Sequence, residues 1–123
     1  MLVAAFVILA VAVLLGSVLA VLHLQTEGRA TPPWRLAALH GLLAINGLCC
    51  LALALRGPPR GLEQGTASFG LIATALIALA ALVGGWLFAA HVFKRRIAGI
   101  MIGVHATLAV SGFVILAAYV FVG

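Results

Sequence analysis

Four long apolar stretches, separated by short polar segments, constrain the fold of this chain most strongly. Each holds roughly the 20 residues that a helix needs to cross ~30 Å of hydrocarbon. The stretches cover about residues 1–24, 35–55, 69–93 and 97–122. With 66% hydrophobic and 7% charged residues among 123, the chain has too few polar side chains to cover a water-soluble core. The sequence therefore predicts an all-α integral membrane protein, with residues 1–123 forming one transmembrane domain folded as an up-and-down four-helix bundle.

The three polar segments predict where the helices end. Residues 25–35 (QTEGRATPPWR) contain charges that are too polar for lipid, a proline pair that can open a helix and a tryptophan suited to the membrane interface. Residues 56–68 are rich in glycine and proline, and the KRR sequence at 94–96 predicts a tight basic turn. The first apolar stretch lacks a positive n-region and a convincing cleavage site. We therefore expect a retained helix there instead of a removed signal peptide.

Lysine and arginine are distributed unevenly between the two sides of the predicted bundle. The first and third loops carry Arg29, Arg35, Lys94, Arg95 and Arg96. The second loop carries only Arg56 and Arg60. The positive-inside rule then puts the first and third loops in the cytoplasm and both termini outside, for a multi-pass protein of the bacterial inner membrane. Because the net charge of +5 comes from these short loops, we expect no nucleic-acid binding.

The two halves of the chain resemble each other. LHGLLAINGLCCLA (39–52) aligns without a gap on VHATLAVSGFVILA (104–117), and LLGSVLAVLH (14–23) aligns on LVGGWLFAAH (82–91). The alignment places all four histidines at equivalent positions, pairing His23 with His91 and His40 with His105. The shared histidines and glycines are the informative matches, since leucine and alanine coincide easily in membrane sequences.

This similarity predicts two repeated helical hairpins, over about residues 10–52 and 78–117. Two hairpins repeated in parallel imply a pseudo-twofold axis along the membrane normal, which puts the second and fourth spans on one diagonal of the bundle. All four histidines then lie on the more basic side. We expect His40 and His105 about two turns below the membrane surface and His23 and His91 about one turn below it.

Symmetric histidines at membrane depth indicate a functional site, because ionisable groups there are costly. Neutral imidazole is a strong axial ligand for haem iron, and His40 and His105 on diagonal helices would present two such ligands at equal depth. Nearby basic residues could neutralise haem propionates. These are Arg35, Lys94, Arg95 and Arg96. Two other interpretations remain open: histidines that only pack or hydrogen-bond, and a four-histidine copper or zinc site.

The pattern of histidines and small residues resembles the membrane cytochromes b, in which a four-helix bundle holds haem b between histidines of facing helices. The resemblance implies His40 and His105 as the axial pair of one haem, and Gly47 and Gly112 as residues that make room near the porphyrin. His23 and His91 would line the haem edge or form a second site, and they are the second-choice ligands of the haem iron. No histidine occurs on the less basic side. Electron transfer across the whole membrane by this chain alone is therefore not expected.

Two classes of function follow. The first is a haem-b electron-transfer subunit of a larger respiratory or photosynthetic complex, with other membrane subunits and quinone as candidate partners. The alternative is a cofactor-free structural or assembly subunit. We expect no enzyme acting alone, because no catalytic constellation of serine, cysteine or paired carboxylates is present. Cys49 and Cys50 are adjacent and are interpreted as small packing residues.

Overall fold

A computed structural model of the protein describes residues 1–26, 33–58 and 60–123. The described residues contain four α-helices and no strand. The helices are α1 (Leu2–Gln25), α2 (Trp34–Ala54), α3 (Phe69–Val92) and α4 (Gly99–Phe121). Each begins and ends within two residues of the predicted stretch. Glu27, Arg29 and Pro32 of the predicted first loop lie outside the described residues.

All four helices are long and apolar enough to cross a membrane. Hydrocarbon offers no hydrogen-bond partners, so a helix, which pairs its own backbone groups, is the structure these apolar stretches can adopt there. The finding confirms the predicted number of spans and indicates a multi-pass protein in a lipid bilayer.

Each helix packs against two neighbours. The most extensive contacts join α1 to α2 and α3 to α4, while α2–α3 and α1–α4 contacts close the bundle. This arrangement puts α2 and α4 on one diagonal and α1 and α3 on the other.

The tightly packed core lies in the half of the bundle nearer the 56–68 connection. It is built from small and branched side chains of all four helices together with one tyrosine. Its buried members are Ala5, Leu9, Leu51, Ala73, Ile77, Leu116 and Tyr119. At its edge, Phe6 stacks on Phe113 with ring centroids 5.1 Å apart and meets Phe121 edge-on at 5.3 Å. Close packing of this kind is the main source of helix association in lipid.

The half of the bundle nearer the 94–96 turn is packed more loosely. Every residue of α1 after Ala12 is at least partly exposed, as is every residue of α2 before Gly47 and of α4 before Gly112. In α3, Ala90 is the one buried residue that follows Ala80. Full burial of side chains is therefore concentrated in the half of the bundle nearer the 56–68 connection.

The basic turn after α3 is fixed by backbone hydrogen bonds. The Arg95 N–H donates to the Ala90 carbonyl at 2.8 Å and the Lys94 N–H donates to the His91 carbonyl at 3.1 Å, the pattern of a Schellman cap. Lys94 takes the left-handed conformation that usually belongs to glycine, with φ 52°, at a cost of about 1 kcal/mol. The cap ends α3 at Val92, two residues after Ala90, the last buried residue of the helix, and leads the chain towards α4.

Candidate functional site

His40 and His105 meet across the bundle. Their ring centroids are 5.9 Å apart and the ring planes are inclined by 82°. Each histidine lies six residues after the first residue of its helix, Trp34 or Gly99, and α2 and α4 run in the same direction. The two rings therefore come from diagonal helices at the same depth. We refer to them as the histidine pair.

Each ring of the histidine pair is held by a backbone carbonyl of the hairpin partner. The His40 Nδ1 lies 2.8 Å from the Ala12 carbonyl oxygen, and the His105 Nδ1 lies 2.8 Å from the Ala80 carbonyl oxygen. A carbonyl oxygen only accepts hydrogen bonds, so in each case Nδ1 carries the proton and donates. In the neutral imidazole this leaves Nε2 as an unprotonated acceptor.

Two glycines let the rings approach the neighbouring backbone. A Cβ atom added at Gly16 would lie 2.9 Å from the His40 Cε1, and one added at Gly84 would lie 2.8 Å from the His105 Cε1. Each imidazole thus lies directly against a glycine of α1 or α3. Gly84 is eight residues, or ~12 Å, before the end of α3 at Val92. The His105 ring beside it therefore lies about two helical turns from that end, at the predicted depth.

The Nε2 atoms of the histidine pair remain free. Neither has a hydrogen-bond partner within the described residues. No described polar side-chain atom is both sealed from solvent and unpartnered, so both Nε2 atoms are still reachable by a water-sized molecule. Each lone pair can therefore bind a metal, accept a hydrogen bond from water or accept a proton.

The glycines that follow the histidines make a different contact. A Cβ at Gly47 would lie 2.6 Å from the Leu9 Cγ, and one at Gly112 would lie 2.8 Å from the Ile77 Cγ1. These glycines face the hairpin partners at the tightly packed core, seven residues beyond the histidine pair. Their immediate neighbours are aliphatic side chains.

His23 and His91 are not part of the histidine pair. They lie in the last turns of α1 and α3 and are half-buried, and their imidazole rings have no hydrogen-bond partner within the described residues. Among the described residues, no group of three or more histidine, cysteine or acidic side chains is close enough to hold a metal ion. The four histidines thus do not form a single copper or zinc site in this structure.

Arg35 and Arg95 lie at one end of the bundle. Arg35 is exposed at the start of α2, where its guanidinium lies 5.8 Å from the centre of the Trp34 ring. Arg95 is exposed in the turn after α3. Both lie at the end of the bundle nearer the 94–96 turn, on the same side as the histidine pair.

The adjacent cysteines have different surroundings. Cys50 is half-buried and packs against the core, as predicted, whereas Cys49 is exposed on the outer surface of α2. Both thiols are free. Packing inside the bundle therefore explains Cys50 but not Cys49, because consecutive helical residues point about 100° apart.

The carbonyls of Ala12 and Ala80 were not predicted from the sequence to be part of the site. The spacing along the helix could have indicated them. Ala12 precedes Gly16 by four residues and Ala80 precedes Gly84 by four, so each alanine shares a helix face with the glycine that contacts a histidine ring. No protein-family model, curated protein or solved structure matches this chain.

Proposed function

We propose that the protein is a haem-b electron-transfer subunit of a membrane redox complex, with His40 and His105 as the axial ligands of one haem iron. The observation that carries the proposal is the histidine pair, two imidazoles whose Nδ1–H groups donate to carbonyls and whose Nε2 atoms have no partner within the described residues. Metal–imidazole bonds of about 2 Å put two ligands on opposite sides of one metal at a ring-centre separation of about 6 Å. The observed 5.9 Å is close to this requirement.

The hydrogen bonds to Ala12 and Ala80 support this role. Metal-binding histidines commonly donate their second ring N–H to a carbonyl or carboxylate, which fixes the tautomer and raises the basicity of the ligating nitrogen. Both rings are already in this state. Little reorientation of the imidazoles about their Nδ1 bonds is then needed for iron binding.

The surroundings of the histidine pair also fit a haem. Side chains are less completely buried in this half of the bundle, and the exposed Arg35 and Arg95 can pair with propionates directed to the surface. Lys94 and Arg96 add positive charge there. A bound haem b supplies a one-electron Fe(III)/Fe(II) couple. A one-electron carrier needs a donor and an acceptor, so we propose other membrane subunits and quinone as partners.

We further propose that the chain consists of two equivalent hairpins, over about residues 10–52 and 78–117. Matching contacts support this: the His40–Ala12 bond recurs as His105–Ala80, and the contacts of Gly16 and Gly47 recur at Gly84 and Gly112. Equivalent substitutions in the two hairpins should then have similar effects on stability.

For orientation, we propose that the 94–96 turn is cytoplasmic in a bacterial inner membrane. In a Cys49→Ser/Cys50→Ser background, Gln64→Cys should react with a membrane-impermeant maleimide in intact spheroplasts, because it lies in the less basic connection. Ala98→Cys should react only after the membrane is permeabilised. Labelling of Ala98→Cys in intact spheroplasts together with protection of Gln64→Cys would reverse the assignment.

The cofactor-free structural role remains the second candidate, and one observation favours it. The imidazoles themselves occupy the space beside Gly16 and Gly84, so the glycines are explained by side-chain packing alone. In this role, the histidine pair would tie the two hairpins together through polar contacts.

A reduced-minus-oxidised absorption spectrum of the purified full-length protein separates the two functions. We expect a low-spin b-type spectrum with one haem per chain, since two imidazole ligands favour the low-spin state. A value of two haems per chain would instead assign His23 and His91 as ligands of a second haem. If the protein remains free of haem when haem is supplied during expression, the haem proposal is wrong and the cofactor-free structural role is supported.

A further inference from the structure

Asn46 is a polar residue on the outside of the bundle. It lies near the middle of α2, twelve residues after Trp34 and eight before Ala54, and its side chain is exposed. The one side-chain hydrogen bond of Asn46 within the described residues is accepted from Cys50, whose Sγ lies 3.7 Å from the amide oxygen. The two N–H groups of the amide have no acceptor there.

This exposure is costly in a membrane. Hydrocarbon cannot replace the hydrogen bonds that water makes to an amide, so a polar group facing lipid is strongly disfavoured unless it finds a partner. Polar side chains in membrane spans accordingly form hydrogen bonds to neighbouring helices. The Asn46 amide therefore needs a partner outside its own bundle.

Two hydroxyl residues of the helices form local hydrogen bonds. The Ser17 hydroxyl donates to the Val13 carbonyl at 3.0 Å, and the Thr74 hydroxyl donates to the Gly70 carbonyl at 2.8 Å. A hydroxyl has one donor and can use a carbonyl four residues back. An asparagine amide has two donors and a strong acceptor, and one such bond leaves the rest unpaired.

A second copy of the same chain provides the matching groups. The amide is self-complementary, because its N–H groups can donate to the amide oxygen of another asparagine while its own oxygen accepts in return. Copies inserted with the same orientation carry Asn46 at the same depth. A twofold axis along the membrane normal then brings the two amides together, and twofold dimers are the commonest symmetric assembly.

The residues around Asn46 suit such a contact. Leu42, Ile45 and Cys49 lie one turn or less away on the same outward face, and all are exposed. Leu42 and Ile45 have 67% and 57% of their surface accessible, so they can pack against a neighbouring helix without changing the bundle.

The equivalent face of α4 has a weaker need for a partner. Ser111 occupies the position that corresponds to Asn46 and is also exposed. Its hydroxyl has no partner within the described residues, but one donor can be satisfied by rotation towards the carbonyl four residues back. The Asn46 amide has two donors, so the face of α2 has the greater need for a second chain.

We propose that the protein forms a twofold-symmetric dimer through the outward face of α2, with reciprocal hydrogen bonds between the two Asn46 amides at its centre. The contact is on the opposite side of α2 from the bundle interior and does not use the histidine pair. The exposed thiol of Cys49 lies one turn from Asn46, so disulfide cross-linking between two Cys49 residues can detect the proposed contact.

The test is disulfide cross-linking of the full-length protein in membranes of expressing cells. Copper phenanthroline should rapidly link Cys49 to Cys49 between two chains in the Cys50→Ser variant. The matched control is Val114→Cys in a Cys49→Ser/Cys50→Ser background, because this position is equivalent on α4 and is 60% exposed. It should cross-link only at the rate of random collisions.

Asn46→Leu in the Cys50→Ser background should weaken association about 3- to 30-fold, the range expected from losing hydrogen bonds between membrane helices. Ser111→Ala should leave cross-linking unchanged. Cross-linking of Cys49 no faster than at position 114, no effect of Asn46→Leu, or a Cys49 adduct with a different protein would each overturn the dimer. The comparison of positions 49 and 114 stands even if Asn46→Leu expresses poorly.

Discussion

Replacing His40 or His105 with alanine is expected to abolish the low-spin haem spectrum of the protein. Each variant removes one of two proposed axial ligands, and a single imidazole cannot hold the iron in the low-spin state. Replacing His23 or His91 should leave the spectrum largely intact and at most shift the reduction potential. The two pairs of variants should differ because, among the four histidines, only the rings of His40 and His105 lie together and have their Nδ1 atoms hydrogen-bonded.

The measurement is a reduced-minus-oxidised spectrum of each of the four variants, normalised to protein. Far-ultraviolet circular dichroism recorded on the same samples serves as the control, since it shows whether the helices remain. A low-spin spectrum that survives in His40→Ala and His105→Ala but is lost in His23→Ala and His91→Ala would transfer the ligand assignment to the outer histidines.

Replacing Gly112 with alanine is expected to destabilise the bundle by about 1–3 kcal/mol, the usual cost of overpacking a core. The new Cβ would lie 2.8 Å from the Ile77 Cγ1, 3.1 Å from the Leu76 Cβ and 3.2 Å from the Ile77 backbone nitrogen. A backbone nitrogen and a Cβ atom cannot rotate away, so α3 and α4 must separate locally. Thermal unfolding in detergent, followed by circular dichroism, should show a lower midpoint.

Gly103 provides the matched control on the same helix. A Cβ there meets nothing within 4 Å, so Gly103→Ala should be neutral or slightly stabilising through the higher helix propensity of alanine. Gly47→Ala should resemble Gly112→Ala if the two hairpins are equivalent. Equal midpoints for Gly112→Ala and Gly103→Ala would contradict the close packing of α3 and α4, and a neutral Gly47→Ala would argue against equivalence.

Much of the fold could be predicted from hydropathy. The four helices are where the apolar stretches predicted them, because the free energy of transferring a segment from water to lipid depends mainly on its own residues. The close approach of His40 and His105 is also consistent with the predicted diagonal arrangement.

The roles of individual small residues were harder to predict. Sequence analysis expected Gly47 and Gly112 to make room for a porphyrin, and the structure puts Leu9 and Ile77 next to them. Whether a glycine faces a ligand or a neighbouring side chain depends on the rotation of two helices about their axes. Sequence spacing within one helix contains no information about that rotation.

The sequence by itself determined the number of spans, their ends, and the placement of all four histidines towards the basic loops, because each of these follows from local composition. Only the tertiary structure decided which atoms hold the histidine pair. Every residue has a backbone carbonyl, so no side chain marks Ala12 and Ala80 as acceptors. They become acceptors because the packing of α1 on α2 and of α3 on α4 brings them within 2.8 Å of an imidazole nitrogen.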